Sequence, residues 1–506
     1  VRNGTHSVAT AAGISTFQHR FHDDRVTDSI AVRRTFVTNT TNCRHLHQQG
    51  LPGMNASIRR ITVLAAACAP KAAEETAHAF HPDWSKNAVI YEVNVRQYTP
   101  EGTLDAFEKE LPRIKDLGAD ILWFMPMSPI GVEKRKGELG SYYSISDYTA
   151  INPEFGDSAD FARVVDEAHK LGMKVILDWV PNHTAWDHHW MTEHPEFYYR
   201  DSATGEISNG RNDHNQPTDW TDVAELDYEN KELWTAMQGE LMWWLKNMKI
   251  DGFRYDMMGG QPLEFWQQTN AMLRAENPEI FLLGETEFYW AHESQCDMTY
   301  GWEFHHLLNK ACQGEDVATI DAYLERQEKD FPQDGYRMYF IDNHDENSWN
   351  GTVEKRIGAN AQAAYIICAT MEQGMPLIYS GQEVGLNKSL RFFERDTINW
   401  SRTSQAAFYT KVSALKHENP ALNSGDFGGA QKRITTGNSR VYAFSRAKDG
   451  NSVVVFTNFD IKAAEVTFSG APAGDYVNHF TGESFTLTEG GTLSLPAHGF
   501  LVLTAK

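Results

Sequence analysis

The feature that most restricts this chain is a repeat of pattern rather than of residues. From about residue 87, short and nearly continuous apolar runs alternate with stretches of helical spacing. "AVIYEVNV" (Ala88–Val95) reads as a buried strand, followed by Leu104, Phe107, Leu111, Ile114 and Leu117 at helical intervals. "DILWFMP" (Asp120–Pro126) and "KVILDWV" (Lys174–Val180) are the next two strands, with a helix over Ala159–Leu171 between them. "GFRYD" (Gly252–Asp256) and "IFLLGE" (Ile280–Glu285) are the fourth and fifth. Met298–Phe304 is a weaker sixth, and "RMYFIDNHD" (Arg337–Asp345) and "MPLIYSGQE" (Met375–Glu383) complete eight. Strands that are apolar on both faces and alternate with helices imply a parallel sheet covered on both sides. Eight units over roughly 320 residues fit a (β/α)8 TIM barrel.

Two other regions depart from the repeat. A polar stretch at about 184–227 follows the third strand and reads as a short insertion domain. After about residue 423 the strands come without helices, separated by Gly, Asn and Asp turns, as in a C-terminal antiparallel β-sandwich over 423–506. The catalytic barrel is then 81–422. Residues 1–80 show no sustained period and are expected to hold little packed structure. Within them "MNASIRRITVLAAAC" resembles a bacterial lipoprotein signal, with Met54 as its natural start and Cys68 as the lipid-bearing residue. That places the protein as secreted, periplasmic or a lipoprotein on the cell surface.

A net charge of -22 argues against nucleic acid and anionic membranes as partners. No stretch is long enough to span a bilayer. The five cysteines are scattered and show no metal spacing, so they form no disulfide framework, although one bridge is allowed. Nothing in the pattern bears on oligomeric state.

In a barrel of this kind the active site lies at the C-terminal ends of the strands. The third strand ends in Asp178, Asn182 and His183, the fourth in Arg254 and Asp256, the fifth in Glu285, and the seventh in Asn343, His344 and Asp345. A lone carboxylate after a strand is usually a helix cap; carboxylates at four strand ends are a different matter. Arg254 and Asp256, two apart, share a strand face. The guanidinium is expected to lower the Asp256 pKa and keep a nucleophile ionised. Glu285 would be its protonated partner, its proton held by burial and nearby negative charge, with Phe288, Tyr289 and Trp290 as apolar cover. One ionised and one protonated carboxyl equip a site for glycosidic bond cleavage.

These segments, in this order and on these strands, resemble the signature regions of the α-amylase family of glycoside hydrolases. The matching stretches are D-x-x-x-N-H at Asp178–His183, G-F-R-x-D at Gly252–Asp256, the acid Glu285 in "GETEF", and x-N-H-D ending at Asp345. "AELDY" (Ala224–Tyr228) and "GSYYSISDY" also match, the latter supplying a stacking tyrosine at Tyr143. The resemblance covers about residues 85–506. It implies a retaining mechanism, with Asp256 as nucleophile, Glu285 as acid and base, and Asp345 steadying the distorted ring. His183, His344, Arg254 and Tyr143 would bind or orient the sugar, and Asp178 would be structural. It implies cleavage of α-1,4-glucosidic bonds in starch or maltodextrins. The alternatives are an α-glucosidase, a cyclomaltodextrinase, a transglycosylase, or a binding homologue without catalysis.

Two departures stand out. Where many relatives have Lys-His, this chain has Gly259 and Gly260, which removes a sugar contact and puts the usual calcium site in doubt. Asn182 and Glu225 match two calcium-ligand positions, and no cofactor is needed for the chemistry itself. A second calcium loop after the first strand is absent, which argues against isomaltase-like action. The insertion is short, so an open cleft is expected, lined by Trp186, Trp190, Trp220 and Trp349 where these do not simply pack in the core.

Overall fold

The computed structural model describes residues 80–402 and 405–506. The leader, the signal-like segment and Cys68 lie outside them.

Eight parallel strands close into a barrel: β1 (Ile90–Val93), β2 (Ile121–Phe124), β3 (Lys174–Trp179), β4 (Gly252–Tyr255), β5 (Phe281–Gly284), β6 (Met298–Tyr300), β7 (Tyr336–Tyr339) and β8 (Gly374–Tyr379). Each strand pairs with its neighbours in sequence, and β8 closes on β1 through Ile90 opposite Leu377. The expected strand at Met298–Phe304 ends at Tyr300; Phe304 belongs instead to the helix Trp302–Gln313, because its ring packs on Tyr323 and Tyr339 outside the barrel.

Residues alternate in and out along every strand. Tyr91, Val93, Leu122, Phe124, Val175, Leu177, Phe253 and Tyr255 point outward, into the core beneath the helices. Ile90, Ile121, Trp123, Ile176, Phe281, Leu283, Met298 and Tyr300 point inward and fill the barrel. The inward set turns polar one step further up. Glu92 follows Ile90, Asp178 follows Ile176, Arg254 follows Gly252 and Glu285 follows Leu283. Filling the lower layers with apolar side chains leaves the top layer as the place where charge collects.

The helix expected over 159–171 runs Ser158–Lys170, opened by a capping box in which Asp157 and Asp160 exchange bonds with each other's backbone. The insertion is pinned at its two ends. His183–Ala185 pairs antiparallel with Val223–Glu225, setting His183 opposite Glu225. The last helix packed on the barrel ends at Glu418 and the first strand of the C-terminal unit begins at Gln431.

That unit is built from β9 (Gln431–Arg433), β10 (Val441–Lys448), β11 (Asn451–Asn458), β12 (Ala464–Thr467), β13 (Gly474–Asn478), β14 (Ser484–Leu487), β15 (Thr492–Leu495) and β16 (Phe500–Ala505). Six of them form one antiparallel sheet, in the order β9-β10-β11-β16-β13-β14, and β12 pairs with β15 in a second. Val466 and Leu495 of the small sheet pack on Val454, Phe456 and Leu503 of the large one. This is the expected sandwich, with unequal layers.

Candidate active site

Arg254 is the hub. It is fully buried, and its cost is met on every side. Nε donates to the Tyr300 hydroxyl at 3.1 Å, and Nη1 donates to Asp178 Oδ1 at 2.9 Å and to Asp256 Oδ1 at 2.8 Å. Nη2 lies 2.7 Å from Glu285 Oε2, an ion-pair contact whose angle is too poor for a hydrogen bond. The Trp123 ring lies 5.1 Å from the guanidinium carbon, and its indole nitrogen donates to Asp178 Oδ2. Asp178 therefore holds the arginine in place, as expected of a structural residue, while Asp256 and Glu285 are brought to one cation.

Glu285 is placed by the backbone as well. Its Oε2 accepts the Met257 N–H at 3.0 Å. Met257 is left-handed, with φ 48°, an uncommon conformation for a non-glycine residue. That twist follows directly on Asp256 and turns an amide toward the neighbouring strand end. The expected apolar cover over Glu285 is not what the structure provides. Phe288 and Tyr289 are 37% and 54% exposed, and Phe288 stacks on Trp290 at 5.9 Å. Polar contacts position this carboxyl.

On the opposite wall, His344 Nδ1 lies 2.6 Å from Glu92 Oε1. Its Nε2 lies 2.7 Å from the Tyr143 hydroxyl and 3.3 Å from Asp345 Oδ2. Tyr143 stacks on His344, with Phe392 parallel to it at 6.3 Å, and its hydroxyl also donates to Asp178 Oδ2. The structure thus joins Tyr143, Asp178, Arg254, Asp256, Glu285, His344 and Asp345 through direct contacts. His183 lies in the hinge of the insertion, where its ring faces Trp220 at 5.9 Å.

The electrostatics correct one expectation. Burial is the largest influence on Asp256 and raises its pKa; Arg254 opposes it, while Glu285 and Asp178 push the same way as burial. The guanidinium is a counterweight, and burial outweighs it. Burial also raises Asp178, Asp345 and Glu92. It works against charge on His344, but Asp345 and Glu92 outweigh it and lift that imidazole to about 9. His183 has no such partner, and burial lowers it to about 4, so it is neutral. Carboxyls gathered around two cations in a buried space cannot all ionise cheaply.

Asn182 and Glu225 meet at the insertion's hinge. Asn182 Nδ2 donates to Glu225 Oε2 and to the Arg211 carbonyl, both at 3.0 Å, and Gln261 Nε2 donates to Asn182 Oδ1 at 3.2 Å. The Arg211 amide donates to Glu225 Oε2, whose carboxyl burial pushes up to about 8. Carboxylate, amide and main-chain carbonyl are the donor types calcium takes, but Asn182 turns its nitrogen toward Glu225 and the Arg211 carbonyl, so its amide would have to rotate to offer an oxygen there. Among the described residues no three His, Cys, Asp or Glu side chains form a metal cluster.

The glycines after Asp256 are explained by close approach. A Cβ on Gly259 would sit 2.9 Å from Phe288 Cε2 and 3.2 Å from Asp213 Cβ, and one on Gly260 would sit 2.8 Å from Asn182 Oδ1. The insertion and the β5 loop close down on this backbone, and a side chain would hold them off. Of the tryptophans expected in the cleft, Trp190 is core, packed on Tyr148 and Phe197. Trp349 is 55% exposed beside Phe392, and Trp186 lies under Lys134. Sequence reasoning missed Glu92 and Met257. A single carboxylate inside the apolar run of β1 was the available signal for Glu92; a left-handed methionine leaves none.

A closed parallel barrel with paired acids at its mouth and a C-terminal β-sandwich defines a class of glycosidases. The catalytic-domain model of alpha amylase matches residues 73–421, and the maltogenic amylase C-terminal domain matches residues 432–502. The chain belongs to the α-amylase family. It is 28% identical over 408 residues to "Alpha-amylase MalA" of Haloarcula japonica, covering 78% of this chain and 58% of that protein's length. Among solved structures it is similar to an α-amylase from Lactobacillus plantarum (31% identity, TM-score 0.74, 83% of this chain and 99% of that one). It is also similar to a maltogenic α-amylase, AmyB, from Thermotoga neapolitana (26% identity, TM-score 0.74, 83% and 98%). Other relatives include maltosyltransferases and a cyclomaltodextrinase, so the family spans more than one activity.

Proposed function

We propose that this chain is a retaining hydrolase of α-1,4-glucosidic bonds in starch or maltodextrins. The observation that carries the reading is the contact of Asp256 and Glu285 with adjacent nitrogens of one guanidinium. Two carboxyls that share one guanidinium are expected at the short separation of about 5–5.5 Å that goes with retention, not at the 6.5–9.5 Å of inversion. Asp256 Oδ1 is taken by Arg254, which leaves Oδ2 to attack the anomeric carbon. Glu285 Oε2 is taken by Met257 and Arg254, which leaves Oε1 to carry the proton to the departing glycosidic oxygen. Water then enters, gives its proton back to Glu285 and its oxygen to the sugar, and frees Asp256. Asp345, gripped by His344, steadies the ring while positive charge develops on it. Tyr143 supplies the stacking face.

A second reading, exo release of maltose, is favoured by the maltogenic type of the C-terminal domain match. Chromatography of products from soluble starch separates the two. Mixed oligomers at early times support internal cleavage; maltose alone supports the second reading; no release from starch or maltooligosaccharides rejects both. We further propose that calcium, when bound, is held by Glu225, Asn182 and the Arg211 carbonyl and fastens the insertion without entering the chemistry. Export as a lipoprotein rests on the segment ending at Cys68; palmitate labelling that survives Cys68→Ala would refute it.

A further inference from the structure

Glu92 has no role in the mechanism above, yet it is a fully buried carboxyl in the barrel's interior layer, one step above Ile90. It has one strong contact, His344 Nδ1 at 2.6 Å, and its Oε2 is buried with no hydrogen-bond partner. Such a group is costly unless the charge across from it is fixed. The other nitrogen of the same ring, Nε2, faces Asp345 Oδ2 at 3.3 Å and the Tyr143 hydroxyl at 2.7 Å. A neutral imidazole has one N–H and can serve one carboxylate; only the imidazolium serves two.

We propose that Glu92 is a positioning residue: it fixes His344 in its doubly protonated form and so keeps a positive charge 3.3 Å from Asp345. The ring's remaining surroundings do not supply this. Trp123 of β2 meets it edge-on, and Arg254 of β4 opposes its charge. Asp178 of β3 is hydrogen-bonded to it only by way of the Tyr143 hydroxyl, although the two charges also attract. Of the groups near Glu92 itself, Tyr300 of β6, Asp342 beyond β7 and Tyr379 of β8 bring no cation, and the Arg254 charge acts on it less than His344 does. The high proton affinity of His344 agrees with the contacts. The role assigned to Asp345 rests on the glycosidase reading; the charge on His344 does not.

The test is an imidazole titration of the full chain labelled with 13C-histidine, the His344 resonance being assigned by its loss in H344Q. In the unsubstituted protein His344 is expected to be charged at neutral pH and to titrate near pH 9. In E92Q, which keeps the shape and removes the charge, the midpoint should fall by at least about one unit. The alkaline limb of kcat/KM should move down with it while the acid limb stays. A neutral His344 at pH 7 in the unsubstituted protein overturns the proposal, whether or not E92Q folds. So does an E92Q profile scaled down evenly at every pH. A charged His344 in a protein that cleaves no glucan would leave Glu92 its assignment and remove the sugar reading instead.

Discussion

Arg254 holds three carboxyls with one side chain, and that geometry uses its fork as well as its charge. Arg254→Lys keeps the charge but cannot reach Asp178, Asp256 and Glu285 together. We expect kcat to fall about 100-fold or more, with melting lowered by a buried, partly unpaired acid cluster worth roughly 3 kcal/mol. Retention of kcat in this variant would show that the arginine is only a charge. Arg254 and Asp256 were legible in the sequence because two charges cost too much in a strand without a job. Glu92 was equally anomalous, but it sits amid "AVIYEVNV", whose apolar neighbours read as core. The proton balance among the carboxyls was not legible at all, since it depends on burial and on distances between the ends of five strands.

At the scale of elements, the hinge of the insertion couples that insertion to the backbone after Asp256. Gly260→Ala would place a methyl 2.8 Å from Asn182 Oδ1 and should push the Asn182–Glu225 contact apart. The expected cost is about 1–3 kcal/mol, read as a lower melting temperature, with KM rising more than kcat falls. An unchanged melting point would mean that the insertion is not fastened there. Chelation addresses the same hinge: a fall in melting temperature restored by calcium supports the ion at Glu225 and Asn182, and indifference to the chelator removes it. The ends of the insertion could be read from polarity alone. The glycines could not be explained that way, because the reason for them is a loop 29 residues further on, from Gly259 to Phe288, and an insertion that folds back on Gly260.

For the whole molecule, the C-terminal sandwich is tied to the barrel by buried cations. Arg446 of β10 donates through Nη1 to the Thr370 and Met371 carbonyls on the barrel side, and through Nε and Nη2 to Gly429 and Asn423. Burial lowers its pKa to about 10. Lys416 is likewise buried, donating to Gly374, Leu422 and Ser424. Arg446→Met should orphan several carbonyls and destabilise by about 3 kcal/mol or more, the barrel and sandwich still melting as one. Two separate transitions in the unsubstituted protein would contradict that coupling. The barrel and the sandwich were each visible as a change in periodicity; the clamp between them was not, because a lone arginine in a strand gives no sign of what it will meet.

In the proposed mechanism Asp256 forms the bond to sugar while Glu285 manages the proton. Glu285→Gln incubated with an α-maltosyl fluoride, whose leaving group needs no acid, should accumulate a glycosyl-enzyme, because the base that clears it is gone. Peptide mapping by mass spectrometry is expected to find the added sugar on the fragment carrying Asp256. Sugar attached at another carboxyl, or turnover that persists in an Asp256→Asn protein, would contradict it.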